Sequence, residues 1–189
     1  MKILESERLI VRNFKPDDWR DLQEYVSQKR IFEFESEWDC TDAGCRESTE
    51  YFSKGETFWA VALKDNGKMI GHIYFNKTKP EHFMTWEIGY IFNPEYYGNG
   101  YATEACNLIL KYAFEELNAH RVLAKCCPDN IKSWKLLERL SMRREGLCKK
   151  AYSIKKNANG EPIWWDELIY AILDEEWSVL NHKKQKNIN

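Results

Sequence analysis

Two glycines in residues 95–104 are the strongest chemical signal in the sequence, which there reads Glu-Tyr-Tyr-Gly-Asn-Gly-Tyr-Ala-Thr-Glu. Gly98 and Gly100 have no Cβ, so a ligand can approach their backbone N–H groups closely. The turn lies between a strand-like run and an amphipathic helix, whose unpaired amides and positive dipole end attract an anion. The spacing therefore predicts an anion site. A plain strand-to-helix connection is the alternative when the turn is taken alone.

The cysteines and histidines do not have the spacing of metal ligands. The six cysteines are at positions 40, 45, 106, 126, 127 and 148, and the four histidines at 72, 82, 120 and 182. Neither set matches a zinc-binding pattern. We therefore expect no metal site, and we interpret the cysteines as free thiols that are mostly buried.

Length and charge narrow the class of protein. The 189 residues suit one domain with a real core, and 43% hydrophobic with 31% charged residues is typical of a soluble globular protein. The net charge of −2 gives no basic footprint for nucleic acid or for an anionic membrane. No apolar run is long enough for a signal peptide or a membrane span, so the sequence predicts a cytoplasmic protein without either partner.

Hydrophobic periodicity predicts one mixed α/β domain over residues 1–181, followed by a tail at 182–189 that should fray. Asn66-Gly67 predicts a hairpin turn, and residues 84–92 add a third strand to that meander. Helices are predicted after Pro16, over 41–52, after the glycine turn and over 130–140. The predicted strands cover 8–12, 58–63, 69–75, 84–92, 121–126, 146–154 and 164–173.

This order of elements resembles the acyl-CoA-binding core of the GNAT N-acetyltransferase superfamily. Within the superfamily it is most similar to the RimJ/RimL-like subgroup, which is related to ribosomal-protein N-acetyltransferases. The resemblance spans about residues 5–180 and implies a GNAT fold, a mixed central sheet of about seven strands flanked by helices on both faces. The matching motifs are Glu5 with Arg8, Leu9 and Arg12, then 87–90, 98–105, 112–114, 130–133 and 174–177.

The resemblance implies acetyl-CoA as the cofactor, with its diphosphate at the glycine turn. The family's turn begins with glutamine or arginine, whereas this chain has Tyr97; main-chain N–H groups hold the diphosphate, so at most one side-chain contact is lost. Asn130 is implied as a pantetheine ligand or as a helix N-cap, and both roles stay open. The implied cofactor-binding residues are Ile88, Gly89, Tyr90, Tyr97, Gly98, Asn99, Gly100, Tyr101, Ala102, Thr103, Asn130 and Ser133.

The family's reaction needs a group that deprotonates the acceptor ammonium and a group that stabilises the departing thiolate. Glu87 is the implied general base, and a solvent-facing strand carboxylate is the alternative. Many members carry a tyrosine acid on the helix after the asparagine, but here that position is Leu137. Ser133 is therefore the implied donor to the sulfur, unless it is a small residue that only allows close packing.

Residues 32–39, Phe-Glu-Phe-Glu-Ser-Glu-Trp-Asp, correspond to the connection that borders the acceptor pocket in similar enzymes. Alternating aromatic and acidic side chains suit a cationic amine, although an amphipathic connector would have the same pattern. Trp164 and Trp165 are neighbours on a strand, so at most one of them can face this pocket. The predicted acceptor contacts are Phe34, Glu35, Trp38 and Trp86.

The resemblance implies an acetyl-CoA-dependent N-acetyltransferase whose acceptor is a protein N-terminal α-amine or a small-molecule amine. A catalytically silent acyl-CoA-binding or regulatory module is the alternative from another class. Oligomeric state stays open, although an exposed strand edge would allow a homodimer.

Overall fold

The computed structural model describes the backbone of residues 2–186 and the side chains of residues 2–180. Its centre is an eight-stranded mixed sheet in the order β1-β2-β3-β4-β5-β6-β8-β7. Among the described helices, none combines the length and apolar character needed to cross a membrane. The strands are β1 Leu4–Glu5, β2 Leu9–Arg12, β3 Phe58–Leu63, β4 Met69–Lys77, β5 Thr85–Phe92, β6 Arg121–Cys126, β7 Arg143–Lys156 and β8 Pro162–Leu173. The helices are α1 Trp19–Val26, α2 Lys29–Phe32, α3 Asp42–Ser53, α4 Tyr101–Glu115, α5 Ile131–Arg139 and α6 Asp174–Lys186.

The sheet has one strand more than the sequence predicted. The extra strand is β1, which pairs with β2 through Leu4 and Val11. Two residues are too few for hydrophobic alternation to reveal a strand. At the other end, α6 continues through Lys186, so the backbone of 182–186 is helical where a frayed tail was predicted. Residues 187–189 of that tail lie outside the described residues.

The antiparallel meander β3-β4-β5 is confirmed, and so is the turn that starts it. Gly67 has φ +74°, a left-handed conformation that glycine adopts at little cost. The second predicted helix is also confirmed, since the Thr41 hydroxyl accepts a hydrogen bond from the Gly44 amide and caps α3. Local turn and cap chemistry thus fixes where these elements begin.

Helices cover both faces of the sheet. Trp59 and Val61 belong to the main core with α4, whereas Ala60 between them packs in a second core with α1 and α3. Successive strand residues point to opposite faces, so the two cores lie on opposite sides of β3. On β5 the same alternation assigns Ile88 to the main core and Ile91 to the second.

The sheet opens between β5 and β6. These parallel strands pair only from Thr85 to Glu87, where Glu87 lies opposite Leu123. β5 nevertheless continues to Phe92, held on its other side by β4, and β6 stays paired with β8 as far as Cys126. A gap therefore separates β5 from β6 beyond Glu87, while β4 and β8 hold the two strands on their outer edges.

A buried ion pair holds β2 to the turn before α1. The Arg12 guanidinium donates to both Asp18 oxygens at 2.7 and 2.9 Å, and the Lys15 amide donates to the same carboxylate at 2.7 Å. The two side chains are only 9% and 7% exposed. Removing one partner would leave the other charge buried and uncompensated, which is costly in a protein interior.

We predict that Asp18→Ala lowers the free energy of unfolding by about 3 kcal/mol or more, measured by urea denaturation. Asp17→Ala is the matched control, because the neighbouring Asp17–Arg20 pair has side chains 92% and 62% exposed. We expect it to change stability by less than about 0.5 kcal/mol. Equal effects of the two substitutions would contradict a stabilising role for the buried pair.

Candidate active site

The gap between β5 and β6 opens into a cavity of about 1460 Å³. The glycine turn and the start of α4 border one part of it, and the connection after α2 borders another. Most of the residues predicted for the site line this cavity: Phe34, Glu35, Ile88, Gly89, Tyr90, Tyr97, Gly98, Gly100, Tyr101, Ala102, Thr103, Asn130 and Ser133. Within the described part of the chain, no cluster of three or more His, Cys, Asp or Glu side chains is arranged to hold a metal ion.

The glycine turn has the geometry of an anion cradle. Gly98 and Gly100 adopt φ +83° and +80°. A Cβ at Gly98 would have no atom of the other described residues within 4 Å, so the space beside the backbone is open. The amides of residues 101–103 lie in the first turn of α4, where N–H groups have no partner inside the helix. Asn99 is a predicted cofactor contact that does not line the cavity. Its side-chain amide donates to the carbonyl oxygens of Tyr96 and Tyr97 at 3.2 and 3.4 Å and supports the turn.

A basic stripe on α5 lies beside the glycine turn and the start of α4. Lys132, Lys135 and Arg139 all line the cavity, with the i, i+3, i+7 spacing of one helix face. The Lys132 ammonium lies 4.8 Å from the centre of the Tyr97 ring, and Arg139 donates to the Thr103 hydroxyl at 3.3 Å. A cation from α5 thus lies beside Tyr97, the position at which the family has glutamine or arginine. The spacing was visible in the sequence, but which face of α5 meets the turn was not.

Two hydroxyl groups meet at the gap. The Tyr90 hydroxyl lies 3.0 Å from the Ser133 carbonyl oxygen and 3.1 Å from Ser133 Oγ. Burial raises the pKa of Tyr90 well above its ordinary value, so this phenol stays protonated. The Asn130 side chain accepts from the Ser133 amide at 3.2 Å, which makes Asn130 the N-cap of α5. Leu137 is 1% exposed and packs in the main core, so its position offers no group to the cavity.

The carboxylate that the sequence favoured as general base is not among those that line the cavity. Glu87 does not line the cavity; its Oε2 lies 3.4 Å from Lys125 Nζ. Glu35 and Glu167 do line it. Burial raises the pKa of Glu35 to about 7. Burial also raises the pKa of Glu167, and nearby Glu87 adds to the rise while Lys125 opposes it. The sequence did not predict Glu167 and Lys125 as site residues, because only the pairing of the strands brings them beside Glu87.

The connection that carries Glu35 is held against the β7–β8 hairpin. Phe34 packs edge to face on Trp165, with ring centres 6.3 Å apart. Lys155 donates to the carbonyl oxygens of Phe32 and Glu33. Trp164 is 54% exposed, so only one of the adjacent tryptophans packs against the connection, as the strand alternation predicted.

Two predicted acceptor contacts lie in the cores and not on the cavity. Trp86 is 7% exposed and packs in the main core, 6.4 Å from the Phe75 ring centre. Trp38 packs in the second core against Phe52 and His72. This placement corrects both predictions: each aromatic side chain turns to a face of the sheet that a helix covers.

Comparison with known proteins agrees with this arrangement. The family profile described as "Acetyltransferase (GNAT) domain" matches residues 8–143, which is most of the chain. The chain therefore belongs to the GNAT acetyltransferase family.

Similar proteins share the fold over nearly their whole length. YnaD of Bacillus subtilis (strain 168), named as an uncharacterized N-acetyltransferase, is 41% identical, with 92% of this chain and 98% of YnaD covered. The [ribosomal protein uS5]-alanine N-acetyltransferase of Escherichia coli (strain K12) is 26% identical over 93% and 92%. The crystal structure of a GNAT-family acetyltransferase from Bacillus anthracis has a TM-score of 0.81 at 36% identity, covering 93% of this chain and all of that one.

We predict that Gly100→Val raises the Kd for coenzyme A at least tenfold in calorimetry, because the added side chain crowds the glycine turn, where a Cβ would lie 3.6 Å from Arg8 Nη2. The substitution also strains a left-handed residue, so some loss of stability is expected. Gly67→Val is the matched control: φ is +74°, nothing lies within 4 Å, and the hairpin turn does not line the cavity. It should lose similar stability and keep its Kd. Unchanged binding by the Gly100 variant would remove the turn from the site.

Proposed function

We propose that this protein is an N-acetyltransferase that moves the acetyl group of acetyl-CoA to a primary amine by direct attack. The observation that carries the proposal is the gap between β5 and β6. It joins an anion cradle and a basic helix face to a wall with two carboxylates in one cavity. A donor with phosphate groups and an acceptor with an ammonium group would meet there.

The donor half of the cavity fits coenzyme A. The turn amides and the positive end of α4 suit the diphosphate, and Lys132, Lys135 and Arg139 add positive charge opposite. The unpaired edge of β5 from 88 to 92 offers backbone N–H and C=O groups to the amide-containing pantetheine arm. When bound, acetyl-CoA supplies a thioester, whose thiol is a good leaving group. A backbone N–H near Gly89 or Tyr90 is proposed to stabilise negative charge on the thioester oxygen.

The acceptor half offers two candidates for the general base. Glu87 has the position that the family resemblance implies, but its carboxylate is paired with Lys125. Glu35 lines the cavity, and among the described residues no hydrogen bond or ion pair engages it. A base with a pKa of about 7 suits proton abstraction near neutral pH. We therefore favour Glu35 as the group that takes the proton, with Glu87 as the second candidate.

Ser133 and Tyr90 are proposed to stabilise the departing thiolate. Ser133 Oγ can donate to the sulfur, and the protonated Tyr90 hydroxyl beside it holds the serine in place. This pair fills the role that the resemblance assigns to a tyrosine at position 137. The silent-module alternative depends on the missing acid, and the hydroxyl pair weakens it.

The acceptor class is an amine, either a protein N-terminal α-amine or a small molecule. A relative named for acetylating the alanine of ribosomal protein uS5 supports the first. The Bacillus relative with 41% identity carries no acceptor in its name. Fold alone does not choose between the two, because one fold serves many acceptors.

Thiol release from acetyl-CoA should rise when a suitable amine is added, and a panel of N-terminal peptides, polyamines and aminoglycosides identifies the class. Mass spectrometry of the product should show one added acetyl group on an amine. The matched control is the same amine blocked by prior acetylation. Coenzyme A binding without acceleration by any amine in the panel would favour the silent module.

We predict that kcat/KM of the wild type rises with pH through an apparent pKa near 7, since the carboxylate form of Glu35 is the active one. Glu35→Gln should remove this rise of kcat/KM with pH and lower kcat by roughly 10²- to 10⁴-fold, with the Kd for coenzyme A unchanged. Glu37→Gln, an exposed position in the same connection, is the control and should behave as wild type. If Glu35→Gln keeps the rise of kcat/KM with pH and Glu87→Gln loses it, Glu87 is the general base.

A further inference from the structure

A carboxylate lies where the structure should favour an anion. Glu104 is in the first turn of α4 and lines the cavity beside the glycine turn. Partial burial tends to raise the pKa of Glu104, but hydrogen bonds from Ser6 and Arg8 outweigh it, and the pKa lies below its ordinary value. The group is therefore a permanent negative charge. Alone it would compete with a diphosphate for the positive end of the helix.

The N-terminal segment compensates this charge. Arg8 Nε and Nη2 donate to Glu104 Oε2 at 2.8 and 2.5 Å. The Arg8 amide and the Ser6 hydroxyl donate to Oε1 at 3.3 and 2.6 Å. Both carboxylate oxygens are thus engaged from a segment that is distant in sequence, and the partners include a full positive charge.

The same guanidinium packs against the outer side of the turn. Arg8 Cζ lies 4.5 Å from the centre of the Tyr101 ring. Its Nη2 would be 3.6 Å from a Cβ at Gly100, and beyond the adjoining residues it is the only atom of the described part of the chain within 4 Å there. Arg8 itself does not line the cavity. Arg8 is therefore placed to contact Glu104 and the turn, and not a ligand in the cavity.

We propose that Arg8 is a positioning residue for the anion cradle: it neutralises Glu104 and braces the glycine turn, so that the start of α4 keeps the positive potential that a diphosphate needs. This inference rests on the proposed function. It also connects two of the sequence motifs, because Arg8 of the first motif contacts Glu104 of the motif at 98–105.

The test is a double-mutant cycle in which Kd is measured by calorimetry for coenzyme A and for pantetheine, which lacks the diphosphate. Arg8→Gln should raise the Kd for coenzyme A about fivefold at low salt and less at high salt, because surface charges are screened. Glu104→Gln should keep the Kd or lower it. The double variant should return close to wild type, and pantetheine binding should be the same in all four proteins.

Lys2→Gln is the matched control. Lys2 also joins the N-terminal segment to α4, but it contacts Glu116, just beyond the other end of the helix, at 2.5 Å. It should leave the Kd for coenzyme A unchanged. If Arg8→Gln does not fold, as judged by urea denaturation, Glu104→Gln alone still tests the idea. A Kd for coenzyme A that rises on removal of this carboxylate would overturn it.

Other results would also overturn the inference. Equal coenzyme A binding by Arg8→Gln and wild type would mean that Glu104 needs no compensation. Weaker binding of coenzyme A and pantetheine alike, without rescue by Glu104→Gln, would mean a purely structural contact. A wild-type protein that binds no coenzyme A would overturn the proposed function and this inference with it, which distinguishes the two failures.

Discussion

The site depends on one constraint, the end of strand pairing between β5 and β6 at Glu87 and Leu123. Backbone N–H and C=O groups away from water require partners, and β5 exposes such groups to the gap from Ile88 onward. This is not a frayed sheet edge. β4 pairs with β5 as far as Phe92, and β8 pairs with β6 as far as Cys126, so both walls of the gap are fixed from outside. A ligand with its own amide groups can complete the interrupted ladder without moving either strand.

The gap also joins two environments of opposite charge. On one side are the start of α4 and the basic face of α5, where main-chain amides and cations converge. On the other side are Glu35 and Glu167, whose pKa values are raised because burial disfavours their charged forms. An arriving ammonium would relieve that penalty most at Glu35, which no ion pair engages among the described residues. In the proposed reaction, the phosphate groups would therefore meet the cations of α5, and the amine would meet Glu35 and Glu167.

Local chemistry made much of this fold readable from the sequence. Asn66-Gly67, the start of the helix predicted over 41–52 and the glycine turn each depend on a few neighbouring residues, and all three features are present. Trp86 and Trp38 were wrongly predicted to contact the acceptor. The sequence does not show which side of the sheet a helix will cover, and that decides whether an aromatic side chain is in a core or in the cavity. Trp86 shares its strand face with Ile88 and Phe92, which pack in the core with α4. The pairing of Tyr90 with Ser133 and of Glu87 with Lys125 likewise joins residues about 40 positions apart.

Leu137 stands where many family members have a tyrosine, so a hydroxyl donor near the gap must come from another position. α5 buries Leu136 and Leu137 in the main core, so that stretch of the helix is committed to packing. A hydroxyl near the gap must then come from a residue earlier in α5 or from the opposite wall, and this chain has both. Tyr90 reaches from β5 to the carbonyl and hydroxyl of Ser133, which lies in the first turn of α5. If Tyr90 donates to that carbonyl, Ser133 Oγ–H is free to turn toward a departing sulfur. In the proposed mechanism, Ser133 and Tyr90 therefore take the donor role that the resemblance assigns to a tyrosine on this helix.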